Sequence, residues 1–237
     1  MKKVLSIIFT IMLALGASAQ NTHDIIVWHG TKSETIQAVD SITFIKSEEK
    51  ATYIDLGLSV KWGTCNIGAK NPEDFGNFYQ WGDIKTKESY DWNTYKYGTD
   101  RNNLEKYNVK DGKTTLDSED DAAIANMNEG WRMPTPAEIK ELVEKCTWEW
   151  TTVNNVNGYK VTGKNGNSIF LPAAGVMFDK NPYYGGKYGY YLSNTLREGD
   201  EAYIKMYAQG FSFQSDKYQA DDRIARNYGI PIRPVHK

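Results

Sequence analysis

Between positions 117 and 121 the chain runs Asp117-Ser118-Glu119-Asp120-Asp121, four carboxylates in five residues. Hard cations take several carboxylate oxygens at once, so Glu119, Asp120 and Asp121 are candidate calcium ligands. The order lacks the alternate spacing and the turn glycine of an EF-hand loop. The other reading is a helix start. Acidic groups favour a helix N-terminus, and Ala122-Ala123-Ile124-Ala125 follows, which predicts a short helix over 118–127. Helix start is the reading adopted, and neither a metal nor any other cofactor is expected.

The remaining reactive side chains are sparse. Cys65 and Cys146 are the two cysteines. In an oxidising compartment they either bridge or stay apart as two buried thiols. With His23, His29 and His236 at the ends of the chain, they make no four-ligand zinc set. A Ser-His or Cys-His pair would need a terminal segment folded over the core. Neither Gly-x-Ser-x-Gly nor His-Glu-x-x-His occurs, and the acids give no spacing that marks a glycosidase pair. The expectation is a protein that is not an enzyme.

The elements that must carry these residues begin with a leader. Lys2 and Lys3, the apolar run Ile7 to Leu15 and Ala17-Ser18-Ala19 read as a signal peptide over 1–19. Export to the periplasm, cell surface or medium is expected, with cleavage near Ala19. No later stretch approaches the ~20 apolar residues of a membrane span. Acids outnumber bases, 30 to 28, and the two signs are interspersed, which argues against a nucleic-acid partner.

Residues 20–50 read as a short β-rich appendage and linker: Ile25 to Trp28, a His29-Gly30 turn, then Ile36, Val39 and Ile42 to Phe44, with a charged linker from Lys46 to Lys50. Residues 51–237 read as one domain. Strands are predicted at Tyr53 to Leu56, Val60 to Cys65 and Phe78 to Trp81, then a long loop from Gly82 to Asp117. Thr135 and Glu138 form a capping box with Pro136 at the first helical position. Ile139, Leu142, Val143 and Cys146 then recur on one stripe, predicting a helix over 136–146. From Trp148 onward the pattern is β-like. Asn165-Gly166 marks a hairpin between Tyr159 to Thr162 and Ser168 to Leu171. Further strands are predicted at Tyr190 to Ser193, Ala202 to Tyr207, Phe211 to Gln214 and Ile230 to Val235. Two helices among many short strands predict an α+β fold with antiparallel sheets and long loops.

Seven motifs, in order, resemble one family: Asp55-Leu56-Gly57-Leu58, Lys61-Trp62-Gly63-Thr64-Cys65-Asn66-Ile67-Gly68-Ala69, Glu119-Asp120-Asp121-Ala122-Ala123, Trp131-Arg132-Met133-Pro134-Thr135, Cys146-Thr147-Trp148, Leu171-Pro172-Ala173-Ala174-Gly175 and Arg233-Pro234-Val235. From Tyr53 onward the chain looks like the Fibrobacter succinogenes major paralogous domain family. That resemblance implies a C-type-lectin-like fold of the sulfatase-modifying-factor branch, with the domain's N- and C-terminal strands paired. It also implies tests of function. Formylglycine-generating relatives use cysteines late in the domain, and none follows Cys146. Calcium-dependent lectins use Glu-Pro-Asn or Gln-Pro-Asp with Trp-Asn-Asp, and none of these occurs.

Resemblance to the retroelement-diversified binding proteins of the same fold places a candidate face on Phe178 to Tyr188, Asn194 to Asp200 and Ser212 to Asn227. Asn181, Tyr183, Tyr184, Tyr188, Asn194, Gln214, Tyr218 and Arg223 are its candidate ligand-binding residues, since Tyr gives rigid contact area and Asn or Gln gives adaptable hydrogen bonds. The plain alternative is that the tyrosines fill packing. Trp131, Arg132, Pro134, Thr135, Glu138 and Arg233 are expected to be frame, with both arginines in internal ion pairs. Trp62, Trp81, Trp131 and Trp148 are expected in or near the core. The function expected is an exported, non-catalytic module that binds a protein or glycan ligand or mediates adhesion. The competing expectation is a structural component of a cell-surface assembly with no small-ligand site.

Overall fold

The structure is a computed structural model and describes residues 23–29, 32–39, 52–197 and 206–237. The leader, the strand expected at Ile42 to Phe44 and most of that expected at Ala202 to Tyr207 lie outside the described residues. Two units are distinguished, Met1–Glu49 and Lys50–Lys237. The first contains β1 (His23–His29) and β2 (Lys32–Val39), an antiparallel pair with Trp28 opposite Ser33.

In the second unit, β3 (Tyr53–Ile54) and β4 (Lys61–Gly63) pair antiparallel, and β5 (Phe78–Tyr79) follows. The stretch from Gly82 to Asp117 contains bridges but no extended strand. A 3-10 turn at Ser118–Asp120 then precedes α1 (Ala122–Asn126). The single helix expected over 118–127 is thus broken at Asp121. Its carboxylate accepts the Ala123 and Ile124 amides, capping α1, while also accepting the Met133 amide at 2.9 Å. That role holds the Asp121 backbone extended and ends the 3-10 turn.

After β6 (Trp131–Arg132) comes α2 (Pro136–Lys145), with both halves of the capping box made: Glu138 N donates to Thr135 Oγ1 and Thr135 N to Glu138 Oε2. Ile139 and Leu142 are buried, and Val143 and Cys146 pack partly against the same core. Next come β7 (Thr147–Val153), β8 (Val156–Thr162) and β9 (Ser168–Pro172), an antiparallel meander. Its second turn is the expected Asn165-Gly166, with Gly166 at φ +84°. Its first is Asn154-Asn155, both in the left-handed region, a two-residue turn whose twist suits a hairpin.

The short hairpin of β10 (Val176–Phe178) and β11 (Asn181–Tyr183) precedes a three-stranded antiparallel sheet of β12 (Gly189–Leu196), β13 (Tyr207–Gln214) and β14 (Lys217–Ala225). β15 (Ile230–Pro231) pairs with β5, and β16 (Val235–His236) lies between β4 and β6. The ends of the domain are therefore joined, Val235 opposite Trp62. The strand expected over Ile230 to Val235 is split in two. Pro231 and Pro234 lack the amide a continuous ladder needs, and between them Arg233 turns inward to donate to carbonyls.

Two buried clusters form the core. One packs α2 against β8, β9, β12 and β13 through Leu142, Val161, Leu171, Tyr191 and Phe211. The other gathers Tyr79, Trp81, Tyr107, Met133, Leu196 and Ile232. The result is an α+β domain dominated by antiparallel sheet.

Candidate ligand-binding cleft

Strand parity on β12 decides which aromatic side chains reach the surface. Tyr191 is fully buried and stacks on Phe211 at 4.9 Å. Its neighbour Tyr190 points to the opposite face and lines two adjoining cavities. The larger, about 450 Å³, has an aromatic wall of Trp92, Phe178, Tyr184, Tyr190, Tyr207 and Tyr228, with Arg223 and Asn227 among its polar groups. The smaller, about 210 Å³, is lined by Tyr188, Tyr218, Ser212, Gln214, Gln219 and Asp222 besides Tyr190 and Lys217.

The β10–β11 hairpin builds one side. Met177 and Gly229 exchange backbone hydrogen bonds at 2.8 and 2.9 Å, tying β10 to the segment after β14. At its base, Gly175 has φ +68° and lies against the Tyr183 carbonyl, where no side chain would fit. Just beyond the hairpin, Tyr184 itself adopts φ +63°. A bulky residue in that region is a steric outlier, with a cost of about 1–3 kcal/mol. Full burial of the ring does not offset that cost, because Tyr184 is 56% exposed.

The rings run in a continuous string. Tyr228 lies 4.9 Å from Phe178, which lies 6.4 Å from Tyr183; Tyr184 is 6.3 Å from Tyr183 and 5.3 Å from Tyr188. Tyr188 and Tyr190 are near parallel, 6.1 Å apart at 13°, and Tyr190 lines both cavities. Burial, with the Asp222 charge adding, pushes the Tyr190 hydroxyl up to about 12. It remains a neutral donor and acceptor at physiological pH.

Of the residues expected at a binding face, Tyr184 and Arg223 line the larger cavity and Tyr188, Gln214 and Tyr218 the smaller. Tyr183 belongs to the ring string, and Asn181 is exposed on β11 outside both linings. Asn194 lines neither cavity: its backbone N–H donates to Pro134 O and its backbone C=O accepts from Leu116 N, while its side-chain Oδ1 accepts from Thr195 Oγ1. The strand expected at Phe211 to Gln214 is the end of β13, and the rest of the candidate face from Ser212 to Asn227 is mostly β14. Gln214 opposite Lys217 closes a tight hairpin and puts Tyr218 and Arg223 on β14. Tyr218 also stacks on Trp148 at 4.8 Å and 16°, so part of its ring is packing. Sequence reasoning missed Trp92, Tyr190, Tyr207 and Tyr228. Alternation with Tyr191 was the available signal for Tyr190, and none marked Trp92, far away in the long loop.

The acidic cluster converges differently from the expected trio. Asp117, Glu119 and Asp120 gather, while Asp121 caps α1. Lys106 Nζ occupies their centre, 2.6 Å from Asp120, 2.8 Å from Asp117 and 3.5 Å from Glu119. Lys96 and the Tyr97 and Tyr107 hydroxyls complete the shell of Asp120. Burial pushes the Asp120 carboxyl up, but these four donors outweigh it and hold it well below the ordinary carboxylate range.

Cys65 and Cys146 are free thiols rather than a bridge. Cys65 Sγ faces Lys70 O, and Cys146 ends α2 against the core, where burial and Glu141 raise its thiol pKa. Arg132 makes the expected ion pair, with Glu138 at 2.5 and 2.8 Å. Arg233 corrects the expectation, because its partners are carbonyls and Asn66 rather than a carboxylate. Trp62, Trp81 and Trp131 are buried and Trp148 half-buried. The His236 ring packs 4.8 Å from Tyr53 and 5.1 Å from Trp131. Among the described residues no helix is long and apolar enough to cross a membrane.

Comparison of the chain with protein-family models, with curated proteins and with solved structures finds no match.

Proposed function

We propose that the protein is an exported, non-catalytic binding or adhesion module of C-type-lectin-like fold, a member of the Fibrobacter succinogenes major paralogous domain family. Its ligand sits on the aromatic face formed by the β10–β11 hairpin and the β12–β13–β14 sheet. Tyr184 carries this reading. A strained backbone conformation holds a large, exposed ring at the mouth of a cavity, and local strain of that kind is kept where the displayed group is used. The cavity volume falls within the range of about 300–1,000 Å³ typical of ligand sites, with an apolar wall and a few polar groups. The exposed rings, with amides between them, match the composition of adaptable recognition surfaces.

Tyr184→Gly separates display from folding. Glycine accepts φ +63° without strain, which offsets its own entropic cost and the lost ring contacts, so stability should stay within about 1 kcal/mol of wild type. On a glycan and protein array, the wild-type chain is expected to bind at least one ligand, and Tyr184→Gly to weaken that binding at least about tenfold, equivalent to roughly 1.4 kcal/mol. Full binding by a folded Tyr184→Gly variant would refute the face.

A further inference from the structure

We infer that the ligand is an uncharged glycan chain held without a metal ion, one sugar over the aromatic wall of the larger cavity and a neighbouring sugar in the smaller. This rests on the reading of the cleft as a binding site. The two cavities have different chemistry and share one wall, Tyr190. The larger is chiefly aromatic, and the negative faces of such rings attract the C–H face of a pyranose as they attract other weakly positive edges. In the smaller, Ser212, Gln214, Gln219 and Asp222 offer hydroxyl, amide and carboxylate groups beside the tyrosine hydroxyls. Such a set both donates and accepts, as adjacent sugar hydroxyls require.

Charge argues for a neutral ligand. Lys217 shares the smaller cavity with Asp222, and the adjacent Asp221 is held by Arg197 at 2.6 Å, so Arg223 leaves the two linings with a single net positive charge. A polyanion would call for several clustered basic groups rather than one net charge, and a quaternary ammonium for carboxylates in the aromatic cavity rather than Arg223. A proline-rich peptide would use the rings equally well, and its carbonyls could accept from the hydroxyls and amides of the smaller cavity, but its prolines carry no N–H for the Asp222 carboxylate, and covering that acceptor without a donor is costly. A bridging cation has no place among the described residues of the cleft. The three carboxylates that do converge, Asp117, Glu119 and Asp120, surround Lys106 and line neither cavity.

The test is affinity electrophoresis of the full chain through gels containing mixed-linkage β-glucan, xylan, galactomannan, α-mannan or soluble starch, with and without EDTA. A proline-rich peptide library is titrated in parallel. Phe178→Ala probes the larger cavity and Gln219→Ala the smaller; both side chains are exposed, so folding, checked by circular dichroism, should persist. The expected result is retardation by at least one polysaccharide, unaffected by EDTA and weakened about tenfold by each variant. No retardation in any gel, or loss of retardation with EDTA, overturns the inference. Binding of peptide alone, abolished by Tyr184→Gly, overturns the glycan assignment while leaving the cleft as the site. Polysaccharide binding unchanged in all three variants overturns both.

Discussion

Arg233→Met is expected to lower the unfolding free energy by about 3–5 kcal/mol, because it strips the donors from several buried oxygens at once. The Arg233 side chain is 1% exposed and donates to Asn66 Oδ1, Gly63 O, Thr64 O and Phe170 O at 2.6–2.9 Å. It thus ties the end of β4 and its following loop to β9, beneath the joined ends of the domain. Methionine fills much of the space but leaves those oxygens dry, at about 1–3 kcal/mol for each that water cannot reach. Arg233→Lys should recover only part of the loss, since an ammonium cannot reproduce the planar fork. Urea unfolding measures both. A loss under about 1 kcal/mol for Arg233→Met would show that the carbonyls find other donors.

Asp120→Asn is expected to cost about 2–3 kcal/mol at neutral pH, less than a fully buried pair because Lys96 and Lys106 reach solvent. The Asp120 carboxyl is 1% exposed and receives Lys106 and Tyr107 at 2.6 Å and Lys96 at 2.8 Å, besides Tyr97. Asparagine keeps the shape but removes the charge both ammonium groups face. A carboxyl whose folded pKa lies below its unfolded value of roughly 3.9 contributes its full stability above that pH and loses it as the pH falls further. Glu141, held down at about 2 by Lys145 and Ser59 against its burial, loses stability in the same direction. Wild type should therefore weaken below about pH 4, and the gap between wild type and Asp120→Asn should narrow there. Urea midpoints at pH 7 and pH 3 read this directly. An equal gap at both would mean that the ion cluster contributes no net stability.

What the sequence disclosed follows from how local each signal is. The capping box of Thr135 and Glu138 acts within four residues, and α2 begins where it indicates. The Asn165-Gly166 turn is equally local. The helix expected at 118–127 broke because Asp121 is shared with the Met133 amide, twelve positions away. The last strand split because Arg233 is committed to Gly63, Thr64 and Phe170, still farther along the chain. At the cleft, tyrosine and amide composition led to Tyr184, Tyr188, Gln214, Tyr218 and Arg223. Trp92 joins them only through tertiary folding, and Tyr190 only through the parity set by the burial of Tyr191. Asn194 has the same composition but lies outside both cavity linings, its backbone bonded to Pro134 and Leu116.

The central claim is that the aromatic cleft is where ligand binds, and amide chemical shifts test it most directly. The isotopically labelled chain is titrated with the strongest polysaccharide or protein from the array. The expected shifts cluster on β10–β11, on Tyr184 to Tyr190, and along β13 and β14 from Ser212 to Arg223. Shifts confined to the Asp117 to Asp121 cluster or to the joined ends at Trp62 and Val235, with the cleft silent, would contradict it.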